Sequence, residues 1–83
     1  MKQMSWLRVR AAFINLGGVV IFRDSPYAVH MNRGPERVAL LRKMSPVPVF
    51  EQRRLVALFG FTVEEYLVAL AGSGPRIEDD GSK

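Results

Sequence analysis

Apolar positions run almost without interruption around the first segment. On a 3.6-residue period from Gln3 to Leu16, Ser5, Arg8, Ala12 and Asn15 form a narrow polar stripe. Trp6, Leu7, Val9, Ala11, Phe13, Ile14 and Leu16 fill most of the remaining circumference, with Arg10 inside that apolar arc. The pattern predicts a helix over 3–16, covered on more than one side and ended by Gly17-Gly18. The period then changes. Residues 19–23 are β-branched and aromatic, Asp24-Ser25-Pro26 is turn chemistry, and residues 27–31 alternate. Tyr27, Val29 and Met31 share one face, Ala28 and His30 the other. A β-hairpin over 19–31 is predicted. Alone it would be marginal in water, so it must pack on helices or gain a strand from elsewhere.

After the break at 32–34, Pro35 suits the first position of a helix running to about Met44. Ser45-Pro46-Val47-Pro48 stops it, and Pro48 opens a further helix to Phe59 with Gly60 beyond its end. The next start is the most fully specified. Thr62 and Glu65 form a capping box, with Phe61 and Tyr66 as its hydrophobic staple. That helix runs to about Ala71 before Gly72. The expected architecture is a small α+β single domain over 1–72: an N-terminal helix, a β-hairpin, then three short helices. Residues 73–83 are Gly, Ser, Pro and charge, and read as a flexible polar tail.

Composition narrows the class. Eighty-three residues, 48% of them hydrophobic, supply one core. There is no cysteine, hence no disulfide and no thiolate zinc site. This agrees with a reducing, cytoplasmic setting. The longest apolar stretch, 11–22, contains Asn15 and two glycines and is well short of the ~20 residues of a membrane span. Arg23 and Asp24 follow it where a signal peptide would carry small residues.

Charge is uneven. Residues 1–54 hold ten bases against three acids, a net +7, and residues 55–83 hold two against five, a net −3. Nine of the twelve bases are arginine, which suits planar contacts to carboxylate or phosphate.

Catalysis finds little support. Asp24, Ser25 and His30 lie close in sequence, but a triad needs an oxyanion hole and a pocket that a hairpin does not supply. No phosphate loop occurs, Glu78-Asp79-Asp80 lies in the tail, and no cofactor or metal is expected.

These features fit two binding readings. The first is a non-enzymatic protein-binding module, a regulator, inhibitor or adaptor of the kind carried by phages and other mobile elements. It would meet an acidic protein surface through Arg10, Arg33, Arg37, Arg42, Lys43, Arg53 and Arg54, with Phe50 and Tyr66 as anchors. The all-apolar stretches 55–59 and 66–71 either form the core under the hairpin and first helix or leave one face open for a partner or a second copy, a homodimer. The second reading is a nucleic-acid binder using the Arg-rich residues 1–54. There Gln52, Val56, Gly60 and Tyr66 in the pair at 50–71 loosely follow the spacing of a helix-turn-helix, with Gln52 and Gly60 in place and Val56 where a small residue is expected. Its second helix, however, starts with Glu64 and Glu65, which repel phosphate.

Overall fold

A computed structural model describes residues 1–72. It has a helix, a three-stranded antiparallel sheet and two further helices, in the order α1 (Trp6–Leu16), β1 (Val20–Asp24), β2 (Ala28–Asn32), β3 (Val38–Arg42), α2 (Val49–Phe59) and α3 (Val63–Gly72). The expected tail at 73–83 lies outside the described residues.

α1 starts three residues later than its periodicity suggests. Ser5 is its N-cap, its hydroxyl accepting from the Arg8 N–H, and Met4 instead forms an antiparallel bridge with Val47. Only Val9, Ala12 and Phe13 of α1 are fully buried. The expectation of cover on several sides is therefore corrected. One face packs along α3, while Leu7 and Ile14 remain in solvent.

The predicted hairpin forms within a residue of its expected ends, and β3 supplies the third strand that a marginal hairpin needs. Ser25 closes the β1–β2 turn, its hydroxyl oxygen accepting from the Tyr27 and Ala28 N–H groups. Sheet order is β1-β2-β3.

The helix predicted over 35–44 is the clearest correction, because that stretch is β3. The expected three short helices after the hairpin are thus two. Pro35 is used in a tight connection rather than as a helix start. Gly34 sits at φ +80°, a value that favours glycine, and the Arg33 N–H donates back to the Arg37 carbonyl at 2.8 Å. From there Val38 to Arg42 pair with Asn32 to Ala28 in unbroken register.

β1 is irregular where β3 is not. Its register shifts between Ile21 and Arg23, so Phe22 is the extra residue of a β-bulge. In a regular strand, residues three apart face opposite ways. The bulge lets Ile21, opposite Met31, and Asp24, opposite Val29, both face the helices.

The core lies between the sheet and the helices. Val29, Met31, Ala39 and Leu41 from the sheet meet Val9, Phe13, Leu55, Phe59 and Tyr66. Phe13 is its aromatic centre, 5.1 Å from the Tyr66 ring and 5.4 Å from that of Phe59. α2 ends at Gly60 in the left-handed region, φ +79°. The capping box is formed as expected. Thr62 Oγ1 accepts from the Glu65 N–H at 3.0 Å, and Glu65 Oε1 accepts from the Thr62 N–H at 2.8 Å.

Among the described residues Gln52 is the buried polar side chain, and it is fully satisfied. Its amide nitrogen donates to the Lys2 carbonyl at 2.9 Å and the Val47 carbonyl at 3.0 Å. Its amide oxygen accepts from the Tyr66 hydroxyl at 2.8 Å. One side chain thus joins the N-terminus, the segment before α2, and α3.

Candidate functional site

Cross-strand register shows which side chains leave the core. Val29 opposite Leu41, and Met31 opposite Ala39, face the helices. Asn32 opposite Val20 and Val38, and His30 opposite Arg23 and Leu40, therefore face away. Phe22 joins this second face, its ring meeting His30 edge-on at 5.9 Å. No helix covers it. Val20 and Phe22 are each more than half exposed, and Val38 and Leu40 are exposed too.

The open face continues around β3 into a groove of about 540 Å³ between that strand and the start of α2. Its walls are residues 38–42 of β3 with Met44, Val47, Pro48, Phe50, Glu51 and Arg54. Phe50 is 71% exposed and Met44 50%, unusual for large apolar side chains beside a cavity. Val38 and Leu40 belong to both the face and the groove, so the two form one surface. On this surface the large apolar side chains stand beside Arg42, Glu51 and Arg54.

The predicted basic residues do not act as one set. Arg33 and Arg37 belong to the end of α2. Arg33 donates from Nη1 to the Phe59 carbonyl, and its guanidinium lies 4.1 Å above the Phe61 ring. The Arg37 guanidinium lies over Gly60, in the space a side chain there would need. Both place positive charge where the helix dipole is negative. Lys43 forms an ion pair with Asp24 and lies 5.3 Å from the Trp6 ring. The hydrogen bond from Lys43 holds the Asp24 carboxyl below its ordinary value, and the charges of Lys43 and the half-buried Arg10 add to this. Arg54 donates to the Glu51 carboxylate from Nη2 at 2.6 Å and from Nε at 3.3 Å. Arg42 and Arg53 are exposed, with no ion pair among the described residues. Arg42 and Arg54 stand on the groove wall, beside Phe50.

Tyr66, expected as an anchor, is fully buried in the core. Its hydroxyl is engaged by Gln52, and burial pushes the phenol well above its usual titration range. The surface instead uses Val20, Phe22, Val38, Leu40 and Met44, which the apolar periodicity alone does not single out. One signal was available. Neither 19–22 nor 38–41 contains a polar residue, so beside Arg23 and Arg42 the outward side of each edge strand has to carry apolar side chains.

Asp24, Ser25 and His30 do not converge. Asp24 faces the helices with Lys43, the Ser25 hydroxyl serves the turn, and His30 packs on Phe22 across the sheet. No group of three or more potential metal ligands occurs among the described residues.

α2 and α3 meet at 109°, within the range of helix-turn-helix pairs. Leu55, Phe59, Tyr66 and Ala69 are buried, while Val63, Glu64, Leu67 and Val68 are exposed on α3. Among the described residues, no single helix is long and apolar enough to cross a membrane. Searches of protein-family models, curated proteins and solved structures find no match to this chain.

Proposed function

We propose that this chain is a non-enzymatic protein-binding module that works in the cytoplasm as a regulator, inhibitor or adaptor of a larger assembly. The observation that carries this reading is the uncovered apolar face of the sheet and its continuation into the β3–α2 groove. Leaving these side chains in water is unfavourable by about 25 cal/mol per Å² of apolar surface, and a partner that covers them recovers that energy. Arginine at the margin of an apolar centre is the usual composition of a protein interface. Here Arg42 and Arg54 stand beside Phe50 and Met44.

The nucleic-acid reading has the 109° helix pair in its favour. It is the weaker of the two. The exposed front of α3 offers two carboxylates and three aliphatic side chains, with no donor suited to base edges. Four of the predicted phosphate contacts (Arg33, Arg37, Lys43 and Arg54) are also engaged within the fold.

The test is affinity capture from source-cell lysate, with the native chain beside a Phe22→Ser/Leu40→Ser/Phe50→Ser variant, and light scattering on both. The expected result is a partner, identified by mass, that the native chain holds and the variant does not, at an unchanged thermal midpoint. A strictly monomeric chain whose captures are the same for both proteins overturns the reading.

A further inference from the structure

The two edges of the sheet are built differently, and we infer from this that the β3 edge accepts an extended acidic segment of a partner protein as a fourth strand. The inference rests on the protein-binding reading and specifies the mode of binding and the chemistry of the partner.

The Arg33 N–H donates to Arg37 and the Lys43 N–H to Tyr27, which fixes the phase of the β2–β3 ladder. Antiparallel pairs alternate between bonded and non-bonded. Ala39 and Leu41 therefore direct their main-chain groups at β2, while Val38, Leu40 and Arg42 direct theirs outward. Those outward groups border the groove, and no hydrogen bond among the described residues reaches them. A row of unpaired donors and acceptors on a regular strand is a template for another strand. The β1 edge is not equivalent. Its bulge at Phe22 breaks the regular spacing that an added strand would need, a common way of blunting an edge.

The groove defines the occupant. An added strand lies about 4.8 Å from β3 and directs alternate side chains to opposite faces. One set would lie against Met44, Pro48 and Phe50, and the other would extend the open apolar face beside Leu40. At the end of β3, Arg42 carries a charge with no counter-ion among the described residues. Arg54 opposite is already neutralised by Glu51. The fitting segment is therefore extended, apolar at alternate positions, with Asp or Glu placed to meet Arg42.

The experiment is selection of a displayed random dodecapeptide library on the whole chain, followed by synthesis of the most enriched peptide. Enrichment of alternating apolar residues with carboxylates is expected. On binding, amide exchange should slow at Val38, Leu40 and Arg42 and stay unchanged along β1. Arg42→Glu and Phe50→Ala should each weaken binding by about tenfold or more at an unchanged thermal midpoint. The same peptide, N-methylated at the alternate residues that face β3, should no longer bind. Enrichment of basic sequences, or protection confined to the open face or β1, overturns the inference. So does concentration-dependent protection of the three amides without peptide, which would make a second copy the occupant. An open-face variant that loses a captured partner, with no peptide protecting β3, overturns the edge mode and leaves the wider reading standing. If open-face substitutions do not alter capture either, both fall.

Discussion

Both faces of the sheet carry large apolar side chains, and among the described residues the helices cover one of them. Leu41 and Leu40 are the same residue type one position apart, yet Leu41 is 1% exposed and Leu40 39%. Toward the helices, Val29, Met31 and Leu41 pack around Phe13 and Phe59. Away from them, Phe22, Val38 and Leu40 face solvent around a half-buried histidine. In this chain hydrophobicity does not report burial. One face holds the fold together, and the other contributes little to it while remaining costly to expose.

Substitutions at Leu41 and Leu40 should separate the faces most sharply. Leu41→Ala leaves a cavity in the core and should cost about 2–5 kcal/mol, whereas Leu40→Ala, at a side chain partly in solvent, should cost about 1 kcal/mol. Urea denaturation of the two variants side by side measures the difference. Equal losses would mean that the open face is part of the stabilising core.

Tyr66→Phe should come next, because it leaves the buried Gln52 amide oxygen without its donor, at a cost of about 1–3 kcal/mol. It should also change the alkaline limb. A phenol whose folded pKa is raised contributes stability below its unfolded value of about 10 and loses it as pH rises toward the folded value. Stability of the native chain should therefore fall above about pH 10, and the variant should lack that component. Thermal melts from pH 8 to 11 give the comparison.

Among the arginines, Arg33→Ala should cost about 1–2 kcal/mol, since it removes both the bond to the Phe59 carbonyl and the stacking on Phe61. Arg53→Ala, exposed and unpaired, should be neutral within about 0.5 kcal/mol. A similar cost for both would place Arg33 outside the fold's own interactions.

The smallest effect belongs to Asp24→Asn. A carboxyl held below its ordinary value stabilises above its unfolded pKa of about 3.9, and that stability is lost as pH falls through the folded value. The variant should be nearly neutral at pH 7 and show a flatter acid limb below about pH 4. Acid titration followed by circular dichroism reads this. An unchanged limb would detach Asp24 from Lys43.

The same asymmetry explains which parts of the fold are legible in the sequence. α2, α3 and the hairpin carry local punctuation. Gly60, the Thr62–Glu65 box and the Asp24-Ser25-Pro26 turn act over a few residues and can be read directly. β3 has none. With both faces apolar, Val38-Ala39-Leu40-Leu41 shows no alternation of polarity, and Pro35 before it mimics a helix start. The surface is partly legible. Phe50, Arg42 and Arg54 are predicted from the sequence and lie together on the groove wall. Arg33, Arg37 and Tyr66 are predicted as well, but their partners Phe59, Gly60 and Gln52 lie 14 to 26 positions away and give no local sign. The role of Gln52 is hidden for the same reason, since its bond to Lys2 spans 50 positions.

The bulge at Phe22 also constrains how this chain can vary. Most surface loops tolerate a residue gained or lost. β1 should do so at one place. Deleting Phe22 would restore a regular strand in which Ile21 and Asp24, then two apart, still face the helices, so the ion pair of Asp24 with Lys43 survives while the β1 edge becomes regular. In a collection of related chains, a gap within this strand should fall at Phe22, and chains that lack the residue should present two regular sheet edges.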